Sequence, residues 1–364
     1  MRTVDRYVTA TFLGSYGLLL LVGVGLYVFS DVLVNLDEFT EDHTLTLRQV
    51  LGNMADFYGH NLPLYFHQLG GLMLTLAAGF TFAMMMRNNE LTPLIVAGVP
   101  LQRLAAPVFV CSVVLVGLWL ANAEWVLPRY AAQIARQHDD LGERRPVEVR
   151  CVRDERNAIL TALELRAKSG VLRGVYIIEP DDHGVPHRLI RADAATYDPA
   201  RATWRLERGA RLLMSPAFTT GEFGDALQWQ PLAEYPFTLS PGQILLRQSS
   251  QWAELMSFRQ MNALLKSRNL PNLPAVAKAR DIRFTQPLLA WILMFLAIPF
   301  FLTREPANVL VAGGKSLVLT GLCFGLAFVA HSMSTDAPTA RLATALPVLL
   351  FGPVAVLHFA NVKT

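Results

Sequence analysis

Charge is what this chain withholds. Only 17% of its 364 residues are Asp, Glu, Lys or Arg, against about 25% in an ordinary soluble domain, and the deficit is uneven. Six stretches hold none at all: 7–30, 57–86, 104–123, 284–303, 316–335 and 342–362. About twenty helical residues, rising 1.5 Å each, cross the roughly 30 Å hydrocarbon core of a bilayer. A single water-soluble domain is thereby excluded. Cysteine is equally scarce. Cys111, Cys151 and Cys323 fall singly in the third run, the 124–283 insert and the fifth run. No disulfide can close within the insert, and no metal or redox site is expected. A strong net charge is missing too, and +3 gives no ground for nucleic-acid binding.

Catalytic signatures are also lacking. Ser, His and Asp are present without a nucleophile–base–orienter pattern, so no enzyme, catalytic residue or cofactor is expected. Gly313-Gly314-Lys315-Ser316 has the outline of a phosphate-binding loop, but Val309 stands where that pattern needs Gly and the flanks are membrane runs. It is read as a tight turn with a topology-setting Lys. The first run exceeds the usual apolar core of a cleavable signal peptide and is read as a retained span.

What is present is a three-plus-three layout of uncharged runs around a charged insert. Hydrophobic residues make up 52% of the chain and the mean hydropathy is +0.33, averages that hide an apolar and a polar population. Six spans put both termini on one side. The short segments of that side carry Arg2, Arg6, Arg87, Arg103, Arg304, Lys315 and Lys363, whereas the opposite short loops carry only Arg48 and Arg341. The positive-inside rule makes the termini cytoplasmic and places 124–283 mainly in the periplasm.

Inside the insert, 124–142 is predicted to continue the third span as helix past Pro128. Beyond Pro146 the period changes. Val147–Val152, Ala158–Arg166, Val171–Glu179, Arg188–Tyr197, Thr203–Arg208 and Arg211–Met214 read as short strands, with further strands expected at 226–230 and 234–247. Pro180–Gly184 and Asp198–Arg201 are turn sequences. About eight such strands suggest a β-sandwich or jelly roll. Residues 250–283 turn helical again, interrupted at Pro271 and Pro274. The fold class is therefore α-helical membrane protein with a β insert: 1–143 for spans one to three, 144–249 for an external β-jelly roll, and 250–364 for a connecting helix and spans four to six.

Local text now carries a resemblance. Val4-Asp5-Arg6-Tyr7-Val8 is similar to the amphipathic opening of the LptF/LptG lipopolysaccharide export permeases. Asn89-Glu90-Leu91-Thr92-Pro93-Leu94-Ile95-Val96-Ala97-Gly98-Val99 resembles their coupling segment. Ala194-Ala195-Thr196-Tyr197 followed by Trp204-Arg205-Leu206-Glu207 resembles a jelly-roll hairpin, and Gln286-Pro287-Leu288-Leu289 to Ala297-Ile298-Pro299-Phe300 resembles the fourth span. Together these cover nearly the whole chain. The resemblance implies a heterodimer of two homologous permease chains on a cytoplasmic ATPase dimer. ATP hydrolysis would drive lipopolysaccharide from the inner membrane into the jelly rolls and on to a periplasmic jelly-roll bridge protein. The Asp5-Arg6-Tyr7 opening leans toward the LptG-like chain.

The coupling loop is assigned to 87–103, with Glu90, Leu91, Leu94, Ile95, Gly98 and Arg103 as docking residues. Thr92 is expected to cap a helix begun by Pro93 and ended by Gly98. By resemblance Glu90 corresponds to the family's coupling glutamate. Lipid-path candidates are Asp31, Asp37, Tyr197, Trp204 and Leu206. Asp31, Asp37 and Glu38 depart from the family's basic pattern at the outer end of the first span, with no Lys or Arg before Arg48. His67, His331 and His358 lie in membrane runs and are read as packing residues, and Glu124 as interfacial. Two other readings stay open: a membrane scaffold displaying a β-sandwich to an envelope partner, and export of a different glycolipid. A secondary transporter is disfavoured by the lack of paired intramembrane carboxylates.

Overall fold

The computed structural model describes residues 3–40, 46–135, 147–154, 156–167, 169–181, 185–213, 229–248, 252–267, 273–303, 308–332 and 337–362. Among them, six helices are long and apolar enough to cross a membrane: Thr3–Leu36, Leu47–Arg87, Leu101–Ala131, Pro274–Phe300, Val309–Ser332 and Arg341–Ala360. Each of the six uncharged runs lies wholly or mostly on one of these helices. The chain gathers into two compact units, one of Met1–Val34, Asn61–Leu127 and Pro274–Thr364, the other of Asn35–His60 and Pro128–Leu273.

The first unit is built on most of α1 (Thr3–Thr40) and α2 (Leu47–Arg87), without their residues 35–40 and 47–60, and on α3 (Leu91–Val96), α4 (Leu101–Ala121), α8 (Leu273–Ala297), α9 (Val309–Ser332) and α10 (Ala337–Ala360), numbered with the insert helices given below. Its core joins Val8 and Phe12 of α1, Ala77 and Phe82 of α2, Val108 of α4, Met294 near the end of α8 and Ile298 just beyond it. Without a hydrophobic drive between helices in lipid, close packing and hydrogen bonds hold them. Thr75 Oγ1 donates to the Ala290 carbonyl at 3.3 Å, linking α2 to α8. Leu21, Leu310 and Leu349 point outward, as helices bathed in acyl chains require. A π-turn at Asn122–Val126 joins α4 to α5 (Leu127–Ile134). Pro128 cannot donate to the Glu124 carbonyl one turn back, and the wider turn just before it accommodates that missing bond.

Among the described residues the second unit holds an antiparallel sheet of eight strands, fitting a jelly-roll-like domain: β1 (Val147–Arg153), β2 (Ile159–Arg166), β3 (Val171–Pro180), β4 (Pro186–Asp198), β5 (Thr203–Glu207), β6 (Ala210–Leu213), β7 (Gln230–Pro231) and β8 (Glu234–Tyr235). The first five strands lie side by side in chain order. Beyond β4 the sheet divides: Asp198 to Ala194 pair with β5, while Arg188 to Arg191 pair with β6. β5 continues to β8 and β6 to β7. Alternate residues, including Leu160, Ala162, Val175, Ile177 and Trp204, fill one apolar core. Tyr235 donates to Glu179 Oε1 at 2.5 Å, and burial with that neighbouring carboxylate pushes its phenol above the ordinary range.

Several expectations are corrected. The strand foreseen over 234–247 is limited to Glu234–Tyr235, and Pro241–Gln248 forms α6 instead. Ser240 and Gln243 exchange side-chain and main-chain bonds, Ser240 N to Gln243 Oε1 at 2.9 Å and Gln243 N to Ser240 Oγ at 3.4 Å, which is a capping box. Pro241, Ile244 and Leu245 then share a buried helical face. A second box, Ser257 with Gln260, starts α7 (Phe258–Ser267), so helix begins there and Trp252–Leu255 is a turn. Pro274 stands at the start of the described part of α8, and Pro271 falls outside the described residues. The Gly313–Ser316 segment is no turn but lies within α9, whose start is capped by Asn308 Oδ1 accepting from Leu310 N at 2.9 Å. The expected helix over 124–142 is present to Ile134, and its remainder beyond 135 falls outside the described residues, as do 226–228 and Met214.

Candidate functional site

The segment between α2 and α4 is fixed by its main chain. α2 ends when Asn89 takes a left-handed φ of 57°, a conformation Asn tolerates better than most residues. Asn89 N then donates to the Met86 carbonyl at 3.1 Å and Glu90 N to Met85 at 2.9 Å, the paired bonds of a Schellman cap. Nine residues later the device repeats. Gly98, at φ 74°, donates to Ile95 at 2.9 Å, and Val99 donates to Leu94 at 3.0 Å. Between the caps stands α3. Thr92 is not its cap, a correction to the expectation: Glu90 holds that position and α3 starts at Leu91. Pro93 falls in the first turn, where its missing N–H is not needed. Pro100, with extended ψ of 132°, then turns the chain into α4.

Packing sorts the expected docking residues. Leu91 is buried in the helix core beside Leu101 and Leu104, and Leu94, Ile95 and Val99 are half-buried against it. Gly98 is exposed and Arg103 half-buried, its amide closing the first turn of α4 onto Pro100. The outward face belongs instead to Thr92, Pro93 and above all Val96, which is 83% exposed. Glu90 makes no capping bond to its own helix. Its carboxylate accepts from Tyr7 Oη, 2.9 Å from each oxygen, and from Asn88 Nδ2 at 3.1 Å. Gln102 Nε2 donates to the Ala360 and Val362 carbonyls at 3.4 and 3.3 Å, tying the start of α4 to the end of α10. Tyr7, Val96 and Gln102 were missed by sequence reasoning; only the Asp5-Arg6-Tyr7 opening had been singled out nearby.

Among the described lipid-path candidates, Asp31 belongs to the first unit and Tyr197, Trp204 and Leu206 to the second. Asp31 is half-buried on α1, one turn beyond Tyr27, whose ring lies 4.6 Å from that of Tyr65. The Asp37 side chain falls outside the described residues. In the insert Trp204 and Leu206 are core residues, and Tyr197 is half-buried with its ring 5.2 Å from Trp204. The Trp204 indole donates to the Leu239 carbonyl at 3.0 Å. A charged group unforeseen from sequence lies at the start of α8. Arg283 meets Glu124 at 3.4 Å, Asp281 meets Arg280 at 2.9 Å and Arg341 at 3.7 Å, and Lys278 donates to the His331 carbonyl. Its signal was the charge density of Lys278–Arg283 just before the uncharged run. No group of three His, Cys, Asp or Glu among the described residues could hold a metal.

The family model described as lipopolysaccharide export system permease LptF/LptG matches residues 6–361. The chain belongs to the LptF/LptG family. No curated protein matches it. As an LptF/LptG chain it is, at family level, a lipopolysaccharide export permease: a multi-pass inner-membrane transport subunit, not itself a catalyst, that works within an export complex.

Proposed function

We propose that this chain is one permease of an ATP-driven exporter that draws lipopolysaccharide from the inner membrane and passes it to a periplasmic jelly-roll bridge. A homologous permease chain would complete the cavity and a cytoplasmic ATPase dimer would supply the work. The observation that carries the reading is α3: a six-residue helix, capped at both ends of its loop, turning Val96 away from the core it packs on. A short rigid element with an exposed apolar side chain and a neighbouring carboxylate suits a groove on a partner protein. Thr92, Pro93 and Val96 form the docking face, with Glu90 at its edge and Leu94 and Ile95 behind.

An outside motor is required on energetic grounds. Burying a methylene is worth about 0.8 kcal/mol on leaving water, but an acyl chain moving from lipid to a protein cavity leaves one apolar medium for another. The charge count supports cytoplasmic termini, a cytoplasmic 87–103 loop and a periplasmic insert. Tyr197, Trp204 and Leu206 would meet acyl chains when the insert's core parts, and Asp31 and Asp37 would lie beside the lipid's entry to the cavity. The test is purification in mild detergent with native partners, followed by mass spectrometry. An ATPase, a second LptF/LptG chain and lipopolysaccharide are expected. Recovery without any ATPase would sink the reading in favour of a membrane scaffold, and a different bound glycolipid would correct the cargo.

A further inference from the structure

We propose that Tyr7 is a positioning residue for coupling, its phenol aiming the Glu90 carboxylate and tying the 88–100 segment directly to the first span. The inference rests on the docking reading above. Glu90 spends none of its acceptors on its own helix. Tyr7 Oη stands 2.9 Å from both carboxylate oxygens, so the O–H points between them, and Asn88 occupies Oε1 alone. A carboxylate offers about four lone-pair sites, which leaves acceptors, notably on Oε2, for a cation of the partner ATPase.

Tyr7 is well placed to hold that aim. It lies in the second turn of α1, next to Val8 and five residues before Phe12, both completely buried in the helix core. The backbone that presents the phenol is therefore fixed, although Tyr7 as a residue is 48% exposed. The covalent chain joins the 88–100 segment only to α2 and α4. Through Tyr7 it also grips α1, from 83 residues away. A pull on Glu90 thus reaches the first span without passing through the flanking helices. At the other end of the segment, Gln102 makes the matching connection to the last helix.

The test uses the full complex, reconstituted with lipopolysaccharide. Tyr7→Phe removes one O–H and no packing volume. Loss of a hydrogen bond to a charged but water-accessible acceptor should lower lipid exported per ATP hydrolysed by about three- to tenfold, with assembly retained. Tyr7→Phe combined with Glu90→Ala should be no worse than Glu90→Ala alone, because the phenol acts only through that carboxylate. Glu90→Lys separates the two readings. If it leaves export and lipid-stimulated hydrolysis intact, the docking assignment falls. If it uncouples the complex while Tyr7→Phe exports normally, docking stands and the positioning role is overturned. Failure of Tyr7→Phe to assemble would also overturn it, since the residue would then be merely structural.

Discussion

The indole N–H of Trp119 donates to the main-chain carbonyl of His67 at 2.8 Å, and Gly70 and Gly71 give the ring its seat. A Cβ on Gly71 would lie 3.1 Å from the far edge of the ring, and one on Gly70 3.5 Å from its near edge. The second and third spans touch here at close to backbone distance. Gly71→Leu should therefore cost about 1–3 kcal/mol by overpacking, and Trp119→Phe about 0.5–1.5 kcal/mol through the lost donor. Thermal unfolding in detergent measures both. Equal stability of Gly71→Leu and wild type would refute this account of the contact.

Gly98→Ala isolates a backbone effect. No atom lies within 4 Å of where the new Cβ would stand, so only the left-handed φ of 74° opposes it. The expected penalty is about 1–2 kcal/mol, seen as faster hydrogen exchange at the Val99 amide that bonds to Leu94. Asn89→Gly, at the other cap, should be tolerated. Unchanged Val99 protection in the alanine variant would contradict the cap.

Val96→Asp and Leu91→Asp should part company. The first places charge on a side chain already in solvent and should leave the thermal midpoint unchanged, while abolishing recovery of the proposed ATPase in pull-down. The second buries a carboxylate in the helix core and should prevent stable expression. Retention of the ATPase by Val96→Asp would remove this face from the docking surface.

Gly209→Ala is predicted to be among the worst single changes in the insert. Its Cβ would come within 2.2 Å of the Leu232 carbonyl oxygen, where main chain meets main chain and no rotamer can yield. A loss of at least about 2 kcal/mol is expected. Gly313→Ala, in open space on a helix, should be neutral or gain up to about 1 kcal/mol. Denaturant unfolding compares the pair, and a harmless Gly209→Ala would mean that the strand approach is looser.

Asp154 gives the insert a pH dependence of unusual sign. It is fully buried at the β1–β2 turn, where Oδ1 accepts from the amides of Arg156 at 2.9 Å and Ala158 at 2.8 Å. Burial raises its pKa above the ordinary 3.8, and the amide bonds only partly offset this. The folded state therefore holds its proton to higher pH than the unfolded state. This contribution to stability is complete below the unfolded pKa and is lost as pH rises through the folded value. Asp154→Asn should remove the dependence, so the stability gap between variant and wild type should change from acid to neutral pH. A gap independent of pH would refute the assignment.

The six spans were legible because composition alone marks them: a run without charge needs no knowledge of its neighbours. The β2–β4 strands were legible for a related reason, alternation bounded by Gly170 and the turn at Asp198. Residues 241–248 misled because Ile244 and Leu245 read as strand until Ser240 and Gln243 are recognised as a capping box. The docking residues show a deeper limit. Leu91 and Val96 are both apolar, and which of them faces the core depends on two main-chain caps whose geometry no hydrophobicity pattern encodes. Tyr7 and Glu90 leave no local trace of each other at all, being 83 residues apart.

One long strand, β4, carries two short ones end to end along the same edge. Ala194 to Asp198 hold β5, and Arg188 to Arg191 hold β6. Parting β6 from β4 undoes four paired residues, against five for β5, while Ala210 and Arg211 of β6 remain paired with β7. The seam at Ala192 and Asp193 thus divides the outer edge of β4, the longest strand, into two separate ladders where a single partner would have made one.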